Sequence, residues 1–495
     1  MAASTGAGAG EREAAGPAGL RRELRFWEAI ALSIAIMAPT AAMALNGTVP
    51  AQLVGRAVPL AFIFATVGVI FVSYAFIRLT GHFSHAGSVY AFSGATLGPR
   101  AGFFSGWALF GTYLAFTAAS TAEVGLFGVA FFTGSGIWNG AEWLVIALVA
   151  GALIAWLAYG DIRVATRSLL GLEGISVALI VFLVVVIFVK LATGSAPGNQ
   201  GFTADVFSVP GGTSVDTVAT AAVFGFLSFA GFEGAASLGE ETDNPRRNIP
   251  RAIGTAVLVA GGFYILVIVA QTLGFGTDAA GVKAFGGSSS PLGDLSKDYV
   301  GSALSDLINF GATVSAFASA LGTATAGSRI LFALARDGFG SRRLGQASAR
   351  TGAPAGALAV VMTIALTVVV VQRIIGTSPA NAFLYAGTIG VLSLLVAYIV
   401  TNVGAMRFLF GRVRRAPLWQ VVVPLIAIAF LLYTIYKNVK GAAFPYDRFP
   451  FVVAAWLLVG LAIVVLLPGL ARNIGAGLAR EEGIEAEGAA PVSDR

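Results

Sequence analysis

Three carboxylates stand in stretches that are otherwise almost wholly apolar: Glu123, Glu173 and Glu233. A charged side chain at the centre of a bilayer costs ~2.5 to 3.5 kcal/mol on insertion scales, so each is expected to face the interior of a bundle or to carry a proton. Such a group can pair with a cationic solute or relay a proton. Glu233 leads, because it lies in Phe229-Ala230-Gly231-Phe232-Glu233-Gly234, where two glycines let the backbone leave helical geometry. It is expected to sense a solute amine or to carry a coupling proton; the alternative is a structural carboxylate satisfied by neighbouring backbone N–H groups. Glu123 and Glu173 have the same two readings, since polar contacts between membrane helices can be purely structural. Phe226 and Phe229 could close over a solute as an aromatic lid, although packing is the commoner fate in a chain with 36 Phe residues.

A second interruption lies at Met37-Ala38-Pro39-Thr40, followed by Asn46-Gly47. Pro39 removes one backbone hydrogen bond and crowds the turn before it. A lone proline kink is common in membrane helices, and one glycine among 63 carries little meaning. The pair means more, because the two interruptions fall five apolar blocks apart, as an inverted repeat of two five-helix halves requires, and such pairs mark the solute site of secondary transporters. The first halves of the broken helices would offer carbonyls to an ammonium. The second halves would present unpaired N–H groups and a positive dipole end to a carboxylate.

The elements that hold these residues follow from composition. Of 495 residues, 57% are hydrophobic and 11% charged, against about 25% charged in ordinary soluble domains. Apolar blocks of roughly 20 residues span a hydrocarbon layer of ~30 Å as helix. Twelve are expected, at 27–53, 58–78, 102–132, 142–159, 168–191, 217–239, 251–275, 302–335, 355–371, 381–408, 417–436 and 449–467. A membrane β-barrel would show weak alternating segments of about 10 residues instead. The predicted fold is an all-α integral membrane protein of twelve transmembrane helices: a 5+5 inverted repeat with helices 1 and 6 broken, plus two extra helices. Residues 25–410 form the transporter core and 411–470 the last two helices. Residues 1–24 and the acidic stretch 471–495 read as disordered cytoplasmic tails, and the former lacks the pattern of a secretory signal.

Numbering the connections alternately from a cytoplasmic N-terminus puts 22 of the 31 Lys and Arg residues on that side and 8 on the other. The bias predicts a multi-pass protein of the cytoplasmic membrane with both termini inside. The net charge of +6 is accounted for by topology and anionic lipid, with no motif calling for nucleic acid. There is no cysteine, and the only histidines, His82 and His85, fall between blocks as surface or cap residues. No cofactor, metal site or oligomeric state is read from the chain, and without an H-E-x-x-H pattern no embedded enzyme is expected.

Three segments carry a resemblance. Residues 226–251, FLSFAGFEGAASLGEETDNPRRNIPR, are similar to the sixth helix and following loop of bacterial permeases of the amino acid-polyamine-organocation superfamily. GSVYAF at 87–92 with LGPRAG at 97–102, and SRILFALARDG at 328–338, agree with this. The resemblance covers the first ten helices. It implies amino acid substrates, sometimes amines or polyamines, held by the backbone around both breaks, which maps to Ala38, Pro39, Thr40, Phe229, Ala230 and Gly231. The chain departs from the family at Ala38-Pro39-Thr40, where many relatives have a Gly-x-Gly break, and near Glu173 or Ser176, where certain proton-coupled relatives have a lysine. A secondary amino acid transporter working by alternating access, driven by protons, is the expected function; an amine or polyamine transporter, or an amino acid exchanger, is the alternative.

Overall fold

The computed structural model describes residues 26–467 apart from 84–87, 161, 239–241, 337, 349 and 412–414, together with 469 and 473. The predicted tail 1–24, nearly all of the predicted tail 471–495, and His85 fall outside the described residues.

The described residues form helices and no strand element. In chain order they are α1 (Phe26–Met37), α2 (Pro39–Leu45), α3 (Thr48–Val54), α4 (Val58–Thr80), α5 (Ser88–Leu97), α6 (Pro99–Gly134), α7 (Trp143–Tyr159), α8 (Ile162–Thr193), α9 (Val215–Ser228), α10 (Pro245–Phe275), α11 (Ala279–Gly287), α12 (Pro291–Tyr299), α13 (Ser302–Arg336), α14 (Ala355–Ile374), α15 (Pro379–Phe410), α16 (Val422–Lys440) and α17 (Phe449–Leu466). Prolines open many of them, at the first turn where the missing N–H costs nothing.

Among the described residues, ten helical stretches are long and apolar enough to cross a membrane. The difference from the twelve expected blocks has two physical sources. Pro39–Thr80 runs as one apolar stretch of short helices, turned by Gly55 at φ 57° and ψ −131°, and α7 is only 17 residues long. The fold is therefore an all-helical, multi-pass membrane protein.

The bundle is inside-out in polarity. The central α6 packs between α13 and α15, and 78% of its apolar window is buried, against 22% in the stretch Leu418–Lys440 that contains α16. The outer helices leave large apolar groups uncovered, including Phe451, Leu458 and Val465 on α17 and Leu425 and Leu432 on α16. A water-soluble protein would not leave so much apolar surface in contact with water, whereas lipid solvates it freely. The buried hydroxyls, amides and carboxylates, by contrast, are most numerous along α6, α13 and α15.

Candidate functional site

The first interruption is a single residue. Ala38 takes the left-handed conformation, φ 46° and ψ 61°, between α1 and α2. Pro39 supplies no N–H, the Thr40 N–H donates to Glu173 Oε1 at 3.0 Å, and the Ala41 N–H donates to Ser315 Oγ at 3.2 Å. The carbonyls of Ile36 and Met37 are thereby released from the helical ladder. The Ala42 N–H reaches back to the Ala38 carbonyl at 2.9 Å, so α2 begins with every N-terminal donor accounted for.

The second interruption is longer. Helix α9 ends at Ser228, Gly231 adopts φ 101°, and the chain continues as a 3₁₀ segment, Phe232–Leu238. A Cβ on Gly231 would run into Ile36 Cγ2, so only glycine permits this approach to the end of α1. Ser33 ties the two breaks together: its hydroxyl donates to the Phe232 carbonyl at 3.1 Å and accepts from the Ala235 N–H at 3.0 Å.

Between the breaks lies a cavity of about 50 Å³, walled by α1, α2, α6, α9, the 3₁₀ segment, α13 and α15. Ala38, Ala230, Gly231, Glu123 and Glu233 line it, joined by Asn46, Tyr113, Ser120, Ser319 and Thr323. Glu233 is 2% exposed and accepts from the Tyr398 hydroxyl at 2.7 Å. Glu123 is equally buried, and its Oε1 has no hydrogen-bond partner among the described residues. Asn46 donates through Nδ2 to Ser228 Oγ at 2.8 Å, leaving Oδ1 buried without a donor among the described residues.

The remaining residues expected at the site lie behind this wall. Pro39 and Thr40 sit on the far side of α2's first turn, where Glu173, 4% exposed, closes it off from α8. The expected free N–H groups at the start of α2 are therefore taken by the protein's own carboxylate and hydroxyl. Phe226 packs its ring against Gly68 of α4, and Phe229 sits edge-on to Tyr264 of α10 with centroids 5.0 Å apart, so both are core residues here and not a lid. The aromatic walls come from Tyr113, Phe116 and Phe383 instead. His82 is exposed and bonds through Nδ1 with the Arg78 carbonyl at 2.9 Å, as a helix-end residue would.

The profile of the amino acid permease family matches residues 28–473. The chain belongs to the amino acid permease family. The branched-chain amino acid permease of Lactococcus lactis is 27% identical over 400 residues, 76% of this chain and 79% of that one. The low-affinity putrescine importer of Escherichia coli K12 is 25% identical over 370 residues, 73% of this chain and 77% of that one. A crystal structure of a manganese transporter from Eremococcus coleocola shares the fold at a TM-score of 0.54 and 13% identity, covering 93% of this chain and 99% of that one. The protein is thus a membrane transporter of the permease type and not an enzyme.

In this permease, Tyr113, Ser120, Ser319 and Thr323 carry no motif, yet they reach the cavity. Their spacing is the signal: 113, 116, 120 and 123 mark one face of α6, and 315, 319 and 323 one face of α13. The faces meet through Ser120 and Ser319, 3.0 Å apart, and through Thr117 donating to Thr323 at 3.3 Å.

Proposed function

We propose that this permease is a secondary active transporter that moves amino acids or related amines across the cytoplasmic membrane by alternating access, with protons as the driving ion. The observation that carries the reading is the junction of two interrupted helices around a buried cavity lined by two carboxylates. Counting the first apolar stretch as two crossings and α7 as one, the chain crosses twelve times. The first five crossings relate to the next five as an inverted repeat, residues 25–410, with α16 and α17 appended. The excess of basic residues on one set of connections supports cytoplasmic termini.

The mechanism follows from the parts. Carbonyls freed at Ile36 and Met37 and the acceptors of Glu123, Glu233 and Asn46 replace water around an ammonium as it leaves solvent. A cavity of about 50 Å³ holds only a few waters, since one water needs ~10 to 15 Å³. Solute-binding pockets commonly span ~300 to 1,000 Å³, so this conformation is a constricted one. Rocking of α1, α2, α9 and the 3₁₀ segment against α6 and α13 would enlarge the cavity toward one side and then the other. Glu233 serves as the proton carrier, with Tyr398 donating to its carboxylate when the proton is absent.

Protein reconstituted in vesicles should take up labelled leucine or putrescine faster under an imposed inward proton gradient. Glu233→Gln should erase that stimulation while leaving exchange in the absence of a gradient measurable. Uptake driven by sodium and indifferent to the proton gradient would overturn proton coupling.

A further inference from the structure

A transporter that grips an amino acid by both ends needs a place for the carboxylate, and the start of a broken half-helix is the obvious one. Here that place is filled from within. The first turn of α2 has no N–H at Pro39, donates from Thr40 to Glu173 Oε1 at 3.0 Å, donates from Ala41 to Ser315 Oγ at 3.2 Å, and closes on itself at Ala42. The 3₁₀ segment is similarly committed: the Phe232 N–H goes to the Phe229 carbonyl at 3.1 Å, the Gly234 N–H to the Gly231 carbonyl at 2.8 Å, and the Ala235 N–H to Ser33.

Apart from hydroxyls at Thr112, Tyr113, Ser120, Ser319 and Thr323, the polar side chains facing the cavity present acceptors. Glu123 and Asn46 line it, and each has a buried oxygen without a donor among the described residues. Glu233 lines it too, and no Lys, Arg or His does among the described residues. A primary ammonium brings three donors and no acceptor, which suits such a wall. An incoming carboxylate brings only acceptors, and would meet Glu123 and Glu233 in the cavity with Glu173 already at the helix end.

We propose that Glu173 is a resident substitute for a substrate carboxylate, so that the cavity selects organic primary amines, and a carboxylate on the ligand is neither required nor favoured. The proposal rests on the transport reading above and deepens it. Glu173 acts as a positioning residue: it fixes α2 and occupies its anion position without touching the ligand.

The test uses ligand pairs that differ only by a carboxylate: cadaverine against lysine, and isoamylamine against leucine. Competition with each is measured on the full-length protein in vesicles. Like-charge juxtaposition costs several kcal/mol and each factor of ten is about 1.4 kcal/mol, so the wild type should favour the carboxylate-free member at least about tenfold in both pairs. Glu173→Gln keeps an acceptor for the Thr40 N–H but removes the charge, and should bring both ratios toward unity. A merely structural role would lower uptake of all four ligands together and leave the ratios alone. Wild-type preference for the amino acid in both pairs overturns the proposal, as does a folded Glu173→Gln protein with unchanged ratios. Where Glu173→Gln does not fold, Ser315→Ala, which frees the Ala41 N–H for a ligand carboxylate, must lower the same ratios; constancy there overturns it as well. If none of the four ligands binds the wild type, the transport reading itself fails and takes this proposal with it.

Discussion

The two interruptions solve one problem in opposite ways. At Ala38 the chain breaks for a single residue, and the loose ends are satisfied by side chains reaching in from α8 and α13, at Glu173 and Ser315. At Gly231 the chain changes helix type, and its loose ends are tied to the other break through Ser33 and to α15 through Tyr398. The first break is thus anchored to the surrounding helices. The second is hydrogen-bonded to α1 through Ser33 and packs on α10 as well, so the 3₁₀ segment is coupled to α1 without being held by it alone. On the alternating-access reading proposed above, the contrast implies that the pair of breaks would move as a unit, hinged where α2 meets α8 and α13.

Gly231→Ala should break this arrangement most severely. The new Cβ meets Ile36 Cγ2 and its backbone, and φ 101° is strained for any L side chain, at a cost of order 1 to 3 kcal/mol for the strain alone. Uptake should fall below the detection limit, with a clear loss of thermal stability in detergent. Gly234→Ala separates clash from strain. Its Cβ would meet only Ile36 Cδ1, the far end of a flexible side chain, so the damage should be smaller and Ile36→Val should restore uptake. Failure of Ile36→Val to rescue Gly234→Ala would show that the Ile36 contact is not what limits that position, and its full rescue of Gly231→Ala would show that the second break is not set by backbone conformation.

Next in size are the two serines that serve the breaks. Ser33→Ala leaves the Phe232 carbonyl and the Ala235 N–H without their partner, whereas Ser315→Ala orphans the Ala41 N–H and takes a hydroxyl from beside the Glu173 carboxylate, which keeps the Thr40 N–H. A buried unsatisfied group costs about 1 to 3 kcal/mol. Ser33→Ala should therefore lower the melting temperature more than Ser315→Ala. It should also slow transport more, because it uncouples the two breaks. An equal loss of rate from both would contradict the view that only the second break depends on the first.

Much of this was legible in the chain, and the limit has a physical character. Hydropathy depends on composition over ~20 residues, so the apolar blocks stand out, and Pro39, Gly231 and Gly234 mark backbone that cannot run as regular helix. The carboxylates Glu123 and Glu233 were visible because ionised groups in apolar runs are costly. What the sequence could not show was pairing at a distance. Glu173 serves Thr40 across 133 positions, Ser315 serves Ala41 across 274, and Tyr398 serves Glu233 across 165. Only packing of α8, α13 and α15 against the breaks decides which donor meets which acceptor. For the same reason Phe226 and Phe229, beside the break in sequence, turn away into contacts with α4 and α10.

The smallest effect belongs to Ala38→Gly, and its sign is informative. An L-residue held at φ 46° carries about 1 to 2 kcal/mol of strain that glycine lacks. Glycine in turn stabilises the unfolded chain by ~0.4 to 1 kcal/mol, offsetting most of that gain. The net change should be a stabilisation of under about 1 kcal/mol, read as a rise of a degree or two in the melting temperature. Transport should stay near the wild-type rate if the first break is a fixed hinge, because the left-handed turn, Pro39 and the donors to Glu173 and Ser315 all remain. A sharp fall in rate with the melting temperature preserved would mean that the turn at Ala38 must be stiff for the pair of breaks to move together. The strain held there would then belong to the transport cycle and not to packing.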